Sequence, residues 1–247
     1  SPAVSLSWRP FSESTLRIRA SYKDIFRVPT FTDLYYLRMG NTNLKPEETS
    51  QYNVGVTWSS SCGDWLRHFS ISADGYYNTV KDKIVALPTM YVWKMMNMGE
   101  VDIKGVDVNL STQFRLPLRM SLLLASTYSF QYAVDVTDPE AKNYKDQIPY
   151  TPRHSGTVSV TLENPWVNVS YILTAVGDRY ALPQNIDRNR IDSYIEQSIS
   201  INRDFRFRYF GLRLQGELLN LANVNYDVIQ YYPMPGRSWR LSICLSY

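Results

Sequence analysis

The sequence predicts an all-β fold, an antiparallel transmembrane β-barrel, of which about 11 strands fall within this chain. Three observations predict it. Apolar and polar residues alternate along many segments, the segments are long, and the connections between them take turns at being short and long.

The alternation runs the length of the chain. Val4, Leu6 and Trp8 face Ser5, Ser7 and Arg9 across the pleat, and Leu16, Ile18, Ala20 and Tyr22 oppose Arg17, Arg19 and Ser21. Phe69, Ile71, Ala73 and Tyr77 oppose Ser70, Ser72, Asp74 and Asn78, and Val158, Val160 and Leu162 oppose Thr157, Ser159 and Thr161. Leu212, Leu214 and Leu218 oppose Arg213, Gln215 and Glu217; Trp239, Leu241, Ile243, Leu245 and Tyr247 oppose Arg240, Ser242, Cys244 and Ser246. A period of two is the signature of a strand whose faces see different surroundings. The expected strands lie near residues 3–9, 15–23, 49–59, 67–80, 99–114, 119–132, 151–163, 167–177, 192–202, 208–219 and 237–247. Gln197 interrupts the pattern, and Leu122 to Ala125 is apolar on both parities.

Short connections such as Pro10 to Ser14, Arg115 to Leu118 and Asn164 to Trp166 alternate with long ones such as Lys23 to Glu48, Ala133 to Tyr150, Asp178 to Ile191 and Asn220 to Gly236. One end of the sheet therefore carries tight turns and the other large loops, as in outer-membrane barrels with strands of roughly ten residues. The bilayer supplies the cause: every backbone N–H and C=O in it must be paired, so a sheet survives there only if closed and apolar toward lipid. Trp8, Tyr22, Trp58, Tyr128, Tyr171 and Tyr247 stand near the ends of the apolar stripes, where amphipathic rings suit the headgroup level. A soluble carbohydrate-binding β-sandwich also alternates and is the competing fold, but it gives no reason for loops of unequal length at the two ends.

The 247 residues include 19 Tyr, 6 Trp and 9 Phe, yet mean hydropathy is −0.30, so apolar residues must be interleaved with polar ones. A net charge of +3 and the absence of long Lys/Arg runs argue against nucleic acid as a partner. No stretch approaches the roughly 18 to 20 apolar residues of a transmembrane helix. Ser1-Pro2-Ala3 has no leader character, and the chain reads as one that begins mid-protein. The two cysteines and two histidines, Cys62, Cys244, His68 and His154, have no metal-ligand spacing, so no metal or cofactor is expected. Cys62 and Cys244 fall about eight strands apart, on the order of 38 Å around the wall at roughly 4.8 Å per strand, too far for a disulfide.

The segment Phe26-Arg27-Val28-Pro29 followed by Asn41-Thr42-Asn43-Leu44-Lys45-Pro46-Glu47 resembles a paired motif of TonB-dependent outer-membrane receptors, with Val28 and Thr42 as its departures. Tyr76-Tyr77-Asn78, Ile103-Lys104-Gly105-Val106-Asp107, Leu218 to Tyr226 and Pro235-Gly236-Arg237 follow in the order expected of that family. The resemblance implies that residues 1–247 are the C-terminal half of a barrel of about 22 strands, with the plug domain absent. It implies an outer-membrane location in a Gram-negative bacterium. The activity implied is energy-coupled uptake of a scarce nutrient such as a ferric siderophore or cobalamin, with an oligosaccharide as the alternative cargo. The partners implied are membrane lipid, a small-molecule ligand, a TonB-type coupling complex acting through the missing plug, and the barrel-assembly machinery, which would read the terminal aromatic Tyr247.

An importer needs no catalytic residue. In the loops, Arg27, Tyr35, Tyr36, Arg38, Trp93, Arg179, Tyr180, Tyr231 and Tyr232 are the ligand-gripping candidates, by charge-assisted bonds and stacking. The motif residues Phe26, Arg27, Pro29, Asn41, Leu44, Pro46 and Glu47 are expected to brace the loop, with Arg27 pairing with Glu47 or Glu48. Asp74, Asp107 and Glu217, on inward parities, could suggest an outer-membrane enzyme, but no Ser or His accompanies them at a recognisable spacing, and carboxylates are ordinary in a wet lumen.

Overall fold

The computed structural model describes residues 1–11, 15–89 and 91–246, with the backbone alone at Cys62. Tyr247, the terminal aromatic, lies outside the described residues. In chain order the elements are β1 (Ala3–Trp8), β2 (Arg17–Arg27), α1 (Phe31–Tyr35), β3 (Glu47–Cys62), β4 (Leu66–Pro88), β5 (Trp93–Leu116), β6 (Met120–Asp135), β7 (His154–Glu163) and β8 (Asn168–Val176). After these come β9 (Arg179–Tyr180), β10 (Arg190–Ile191), β11 (Tyr194–Arg206), β12 (Gly211–Leu219), β13 (Asp227–Ile229), β14 (Tyr232–Pro233) and β15 (Ser238–Ser246).

Eleven strands make one antiparallel sheet in the order β1-β2-β3-β4-β5-β6-β7-β8-β11-β12-β15, a meander in which each strand pairs with the next one of the sheet. The remaining strands form two small ladders, β9 with β10 and β13 with β14, inside loops. Among the described residues no second large sheet faces the first, so the sandwich alternative is not favoured. The sheet is open, with β1 and β15 at its edges. β3 is third and β15 eleventh in the order, so eight steps separate the strands of Cys62 and Cys244, and Cys244 is free.

The register turns the one-dimensional alternation into two faces. On one, Trp8, Ile18, Val56, Ala73, Val108 and Tyr128 lie in a row of paired residues, and Val160, Tyr171, Ile199, Leu218 and Trp239 form another. Much of this face is exposed, including Trp8, Trp239, Leu241, Ile243 and Leu245, and the rest is half-buried. Near the loop end, Tyr22, Tyr52, Tyr77, Lys104 and Tyr132 are successive cross-strand partners, with ring centroids 5.0 Å apart for Tyr22–Tyr52 and 6.4 Å for Tyr52–Tyr77. Near the turn end, Trp58 meets Phe69 at 5.2 Å. Tyr52 and Trp58 are six residues apart on β3, about 20 Å along a strand, comparable with the ~25 Å apolar band between aromatic girdles.

The break at Gln197 has a local cause. Gln197 falls on the apolar parity between Ile195 and Ile199, and its Oε1 accepts a 2.9 Å bond from the Tyr171 hydroxyl on the neighbouring strand β8. Each polar group satisfies the other, which lowers the cost of placing an amide there.

The opposite face is polar. Arg19 pairs with Asp74 at 2.9 Å, Arg213 with Asp204 at 2.6 Å, and Arg240 with Glu217. Ser129 donates to Asp107 at 2.5 Å. Asp74, Asp107 and Glu217 are thus each engaged in the wall; ion pairs this exposed are worth about 0–1 kcal/mol each. The one compact apolar cluster among the described residues also sits on this side, near the loop end: Val80, Met98, Val101, Ile103, Ala133 and Ile148, with Tyr76 and Val85 against it.

The expected strand edges need two corrections. β4 and β5 run to 23 and 24 residues, far past the expected ends at 80 and 99, so residues 81–98 are mostly a projecting two-stranded ribbon rather than a loop. The ladder skips Asp82, which adopts φ +50°, before pairing resumes at Lys83 with Met98. The segment near residues 23–48 also contains a short helix, α1, at its turn.

Candidate functional site

The long connections all emerge at one end of the sheet and are sewn to one another. The first, between β2 and β3, is organised by Asp33. Thr30 caps α1, its hydroxyl accepting from the Asp33 N–H at 3.2 Å, while the Asp33 carboxylate accepts from the Thr30 N–H at 2.9 Å. The same carboxylate accepts from Arg27 Nη2 at 3.2 Å, and Arg27 Nη1 reaches Glu47 at 3.4 Å. Glu47 also accepts from the N–H of Ile84 on the ribbon at 3.2 Å. Asp33 is only 8% exposed. Burial works to raise its pKa, but the bonds from Thr30 and the charge of Arg27 outweigh that and hold the carboxyl below the ordinary aspartate value.

Asn41 receives the Asn43 N–H at 3.0 Å and donates to the Met95 carbonyl at 3.1 Å. Lys45 and Asn97 exchange bonds of 2.9 and 3.1 Å, and Met95 donates to the Met39 carbonyl at 2.9 Å. Leu44 is buried beneath this seam; Pro29 is half-buried, and Phe26 and Pro46 are exposed. Apart from the Asn43–Asn41 bond, these polar contacts join the first loop to the ribbon.

The ribbon tip continues the chain of contacts, with Trp93 packed on Tyr150 at 5.7 Å. Asn185 then joins the third loop to the second: its Oδ1 accepts from the Gln147 N–H at 2.7 Å, its Nδ2 donates to the Gln147 carbonyl at 3.0 Å, and its N–H donates to Asp146 at 3.0 Å. Tyr150 N–H donates to the Tyr180 carbonyl at 2.7 Å, and Tyr180 pairs with Arg190 across the β9–β10 ladder. Burial raises the Tyr150 phenol's pKa against the backbone bond from Gln230 and the charge of Arg179.

Arg179 is only 3% exposed. Its Nη2 donates to the carbonyls of Asp227 and Val228, the latter at 3.3 Å, and its Cζ lies 5.5 Å over the Tyr194 ring, which stacks on Tyr226 at 4.1 Å. Its Nη2 thus fastens the third loop to the last, while its buried Nη1 has no hydrogen-bond partner among the described residues. Tyr226 has its phenol pKa raised by burial first and by the charge of Glu196 second. Arg190, in the same loop, is neutralised by Asp178 at 3.0 Å and Asp192 at 3.4 Å.

Asn220 ties the last loop at its root. At φ +50° and 3% exposed, it donates to the Val224 carbonyl at 2.8 Å and the Pro235 carbonyl at 3.3 Å, and accepts from the Val224 N–H at 2.8 Å. Asn220→Ala should remove all three bonds and place alanine at a positive φ, costing about 2–4 kcal/mol of local stability. Hydrogen exchange at Val224 measures this, and unchanged protection there would refute it.

The candidates left facing solvent are Tyr35, Tyr36, Arg38, Tyr231 and Tyr232, of which Tyr231 is 79% exposed. Tyr35 stacks on Phe31 at 4.7 Å. Tyr231 lines a cleft of about 250 Å³ with Asp192, Asn225 and Gln230, between the third and last loops. Asp33 and Asn220, which hold their own loops, and Asn97, Gln147 and Asn185, which join neighbouring ones, carry no obvious ligand chemistry and were not among the sequence's site candidates.

A family profile described as TonB dependent receptor-like, beta-barrel, matches residues 1–221. The vitamin B12 transporter BtuB of Photobacterium profundum is 27% identical over 236 residues, covering 92% of this chain and 34% of that protein. BtuB of Vibrio vulnificus is 24% identical over 87% of this chain and 32% of that protein. The chain therefore spans about a third of the length of the curated relatives it matches. Among solved structures, the ferric preacinetobactin receptor BauA of Acinetobacter baumannii superposes with a TM-score of 0.71 at 13% identity, over 99% of this chain and 36% of that one.

Proposed function

We propose that this chain, which belongs to the TonB-dependent receptor-like β-barrel family, contributes part of the wall of an outer-membrane receptor for energy-coupled nutrient uptake. The observation that carries this reading is the register: eleven strands divide into an apolar face and a polar face, with laced loops at one end and tight turns at the other. The apolar face meets lipid and the polar face the lumen, the loops stand outside the cell, and the turns face the periplasm. The motif from Phe26 to Glu47 braces the loop collar, while Tyr35, Tyr36, Arg38, Tyr231 and Tyr232 contact the cargo, with Trp93 and Tyr180 in support. Ring faces and one cation suit a flat or anionic small molecule such as a ferric siderophore or cobalamin, the latter in keeping with the name of the BtuB relatives. The coupling complex acts on a plug, and the assembly machinery reads the terminal aromatic Tyr247.

Two measurements test this. The full-length protein should fractionate with outer membranes and need detergent for extraction, and recovery from the soluble fraction would refute the membrane reading. A strain lacking it should lose growth on limiting cobalamin or on iron supplied as a siderophore, and normal growth on every such source would refute the uptake reading.

A further inference from the structure

One arginine lies on the wrong face. Arg203 shares its parity with Ile199, Ile201 and Phe205 on β11, and its cross-strand partner on β12 is Leu214. It is exposed, makes no ion pair among the described residues, and has its Cζ 4.8 Å from the Phe205 ring. A guanidinium facing the hydrocarbon midplane costs about 2–4 kcal/mol and near the interface about 0–1, so the site must lie at the turn-side headgroup level. The sequence agrees: β11 ends at Arg206, and the turn beyond it holds exposed Phe207, Arg208, Tyr209 and Phe210.

Beside Arg203 the apolar face has a dent. Gly216 lies between Ile201 on β11 and Leu241 on β15, and a side chain built on it would meet nothing within 4 Å. The open space is a groove of about 640 Å³ walled by Ile199, Ile201, Leu214, Leu218 and Leu241, with Arg203 in its turn-side half and Phe205 beyond it. A groove for hydrocarbon with an unpaired cation in its turn-side half has the shape and charge of one molecule, a phospholipid whose phosphate is anionic and whose chain points to the bilayer centre.

We propose that the Gly216 groove and Arg203 bind an anionic phospholipid of the periplasmic leaflet, with an acyl chain against Gly216 and the phosphate on Arg203. The proposal rests on the membrane-spanning reading above. Charge-assisted bonding from a guanidinium explains selectivity for an anionic headgroup, and Arg208, with its Cζ 5.5 Å from the Tyr209 ring in the adjoining turn, adds to the local field.

The test uses the full-length protein in detergent, exposed to phosphatidylglycerol or phosphatidylcholine of identical chains and read by native mass spectrometry. Wild type should retain one phosphatidylglycerol with a preference of about tenfold, equal to about 1.4 kcal/mol. Arg203→Gln should abolish the preference while still retaining either lipid weakly, and Gly216→Leu should reduce retention of both by filling the groove. Inorganic phosphate in excess should not displace the lipid; displacement would mean a phosphate site without a chain and would overturn the proposal. Equal retention of the two lipids by wild type, or a preference that survives Arg203→Gln, would also overturn it. Heat-dependent gel mobility establishes that each variant is folded. A protein that enters no micelle fails the membrane reading instead, whereas a micelle-borne protein without selectivity fails only this proposal.

Discussion

Asp33→Ala is expected to release the loop between β2 and β3 while leaving the sheet intact. The substitution removes the acceptor of Thr30 and of Arg27, and thereby leaves Arg27 with Glu47 alone. Losing a capping interaction and stranding part-buried donors together cost about 3 kcal/mol of local stability. Where local opening limits cleavage, that becomes roughly a 100-fold rise in susceptibility. Trypsin cutting after Arg38, an exposed residue at φ +66°, is the measurement. Asp33→Asn keeps an acceptor without the charge and should lie between wild type and alanine. Equal cleavage of wild type and Asp33→Ala would remove Asp33 from its organising position.

The same carboxylate sets a pH dependence. Its pKa in the folded loop is lowered, so the ionised form binds the fold better than the protonated form does. Its contribution is therefore present above the unfolded aspartate value, near ~4, and is lost as pH falls through the lower folded value. Cleavage after Arg38 by an acid-tolerant protease should be flat from neutral pH down to that range and then rise in wild type, but should lack the rise in Asp33→Ala.

Gly105→Ala should damage the wall itself. Gly105 pairs across the strands with Tyr76, and an added methyl would stand 2.5 Å from the phenol oxygen and 2.6 Å from the ring carbon that bears it, while also colliding with the Phe130 carbonyl. Backbone on one side and a ring on the other leave no cheap escape, so the cost is about 3 kcal/mol or more. The urea midpoint of the folded protein should fall accordingly. Tyr76→Ala removes a ring packed on the apolar cluster and is costly by itself, but it relieves the ring contact, so the double variant should lose less than the sum of the two single losses. A midpoint unchanged by Gly105→Ala would mean that β4 and β5 are not in this register.

The sheet was legible because one face is apolar and the other polar, and that contrast imposes a period of two on every residue between them. Where that contrast ends, the signal ends. The β4–β5 ribbon, residues 81–88 with 93–98, projects past the rest of the sheet, and Lys81-Asp82-Lys83 or Met95-Met96-Asn97 carry no alternation because nothing there imposes one. Gln197 was an exception only in sequence, since its partner Tyr171 is a neighbour only in the sheet. The family motif was legible as a string, and Arg27 does reach Glu47, but Asp33, which joins them to α1, falls in the gap between the motif halves. Arg179 shows the limit for single residues. A loop arginine is ordinarily solvated, and only the fold of the last loop over it buries its guanidinium.

The seams between neighbouring loops bear on how such loops can be exchanged. Met39 with Met95, Trp93 with Tyr150, Gln147 with Asn185, and Arg179 with Asp227 each lie half in one loop and half in the next. A loop transplanted alone from a relative would arrive with half of each seam and leave the other half orphaned. Recombination should succeed instead when adjacent loops travel together, so the inherited unit of specificity is a pair of loops with the strands that separate them.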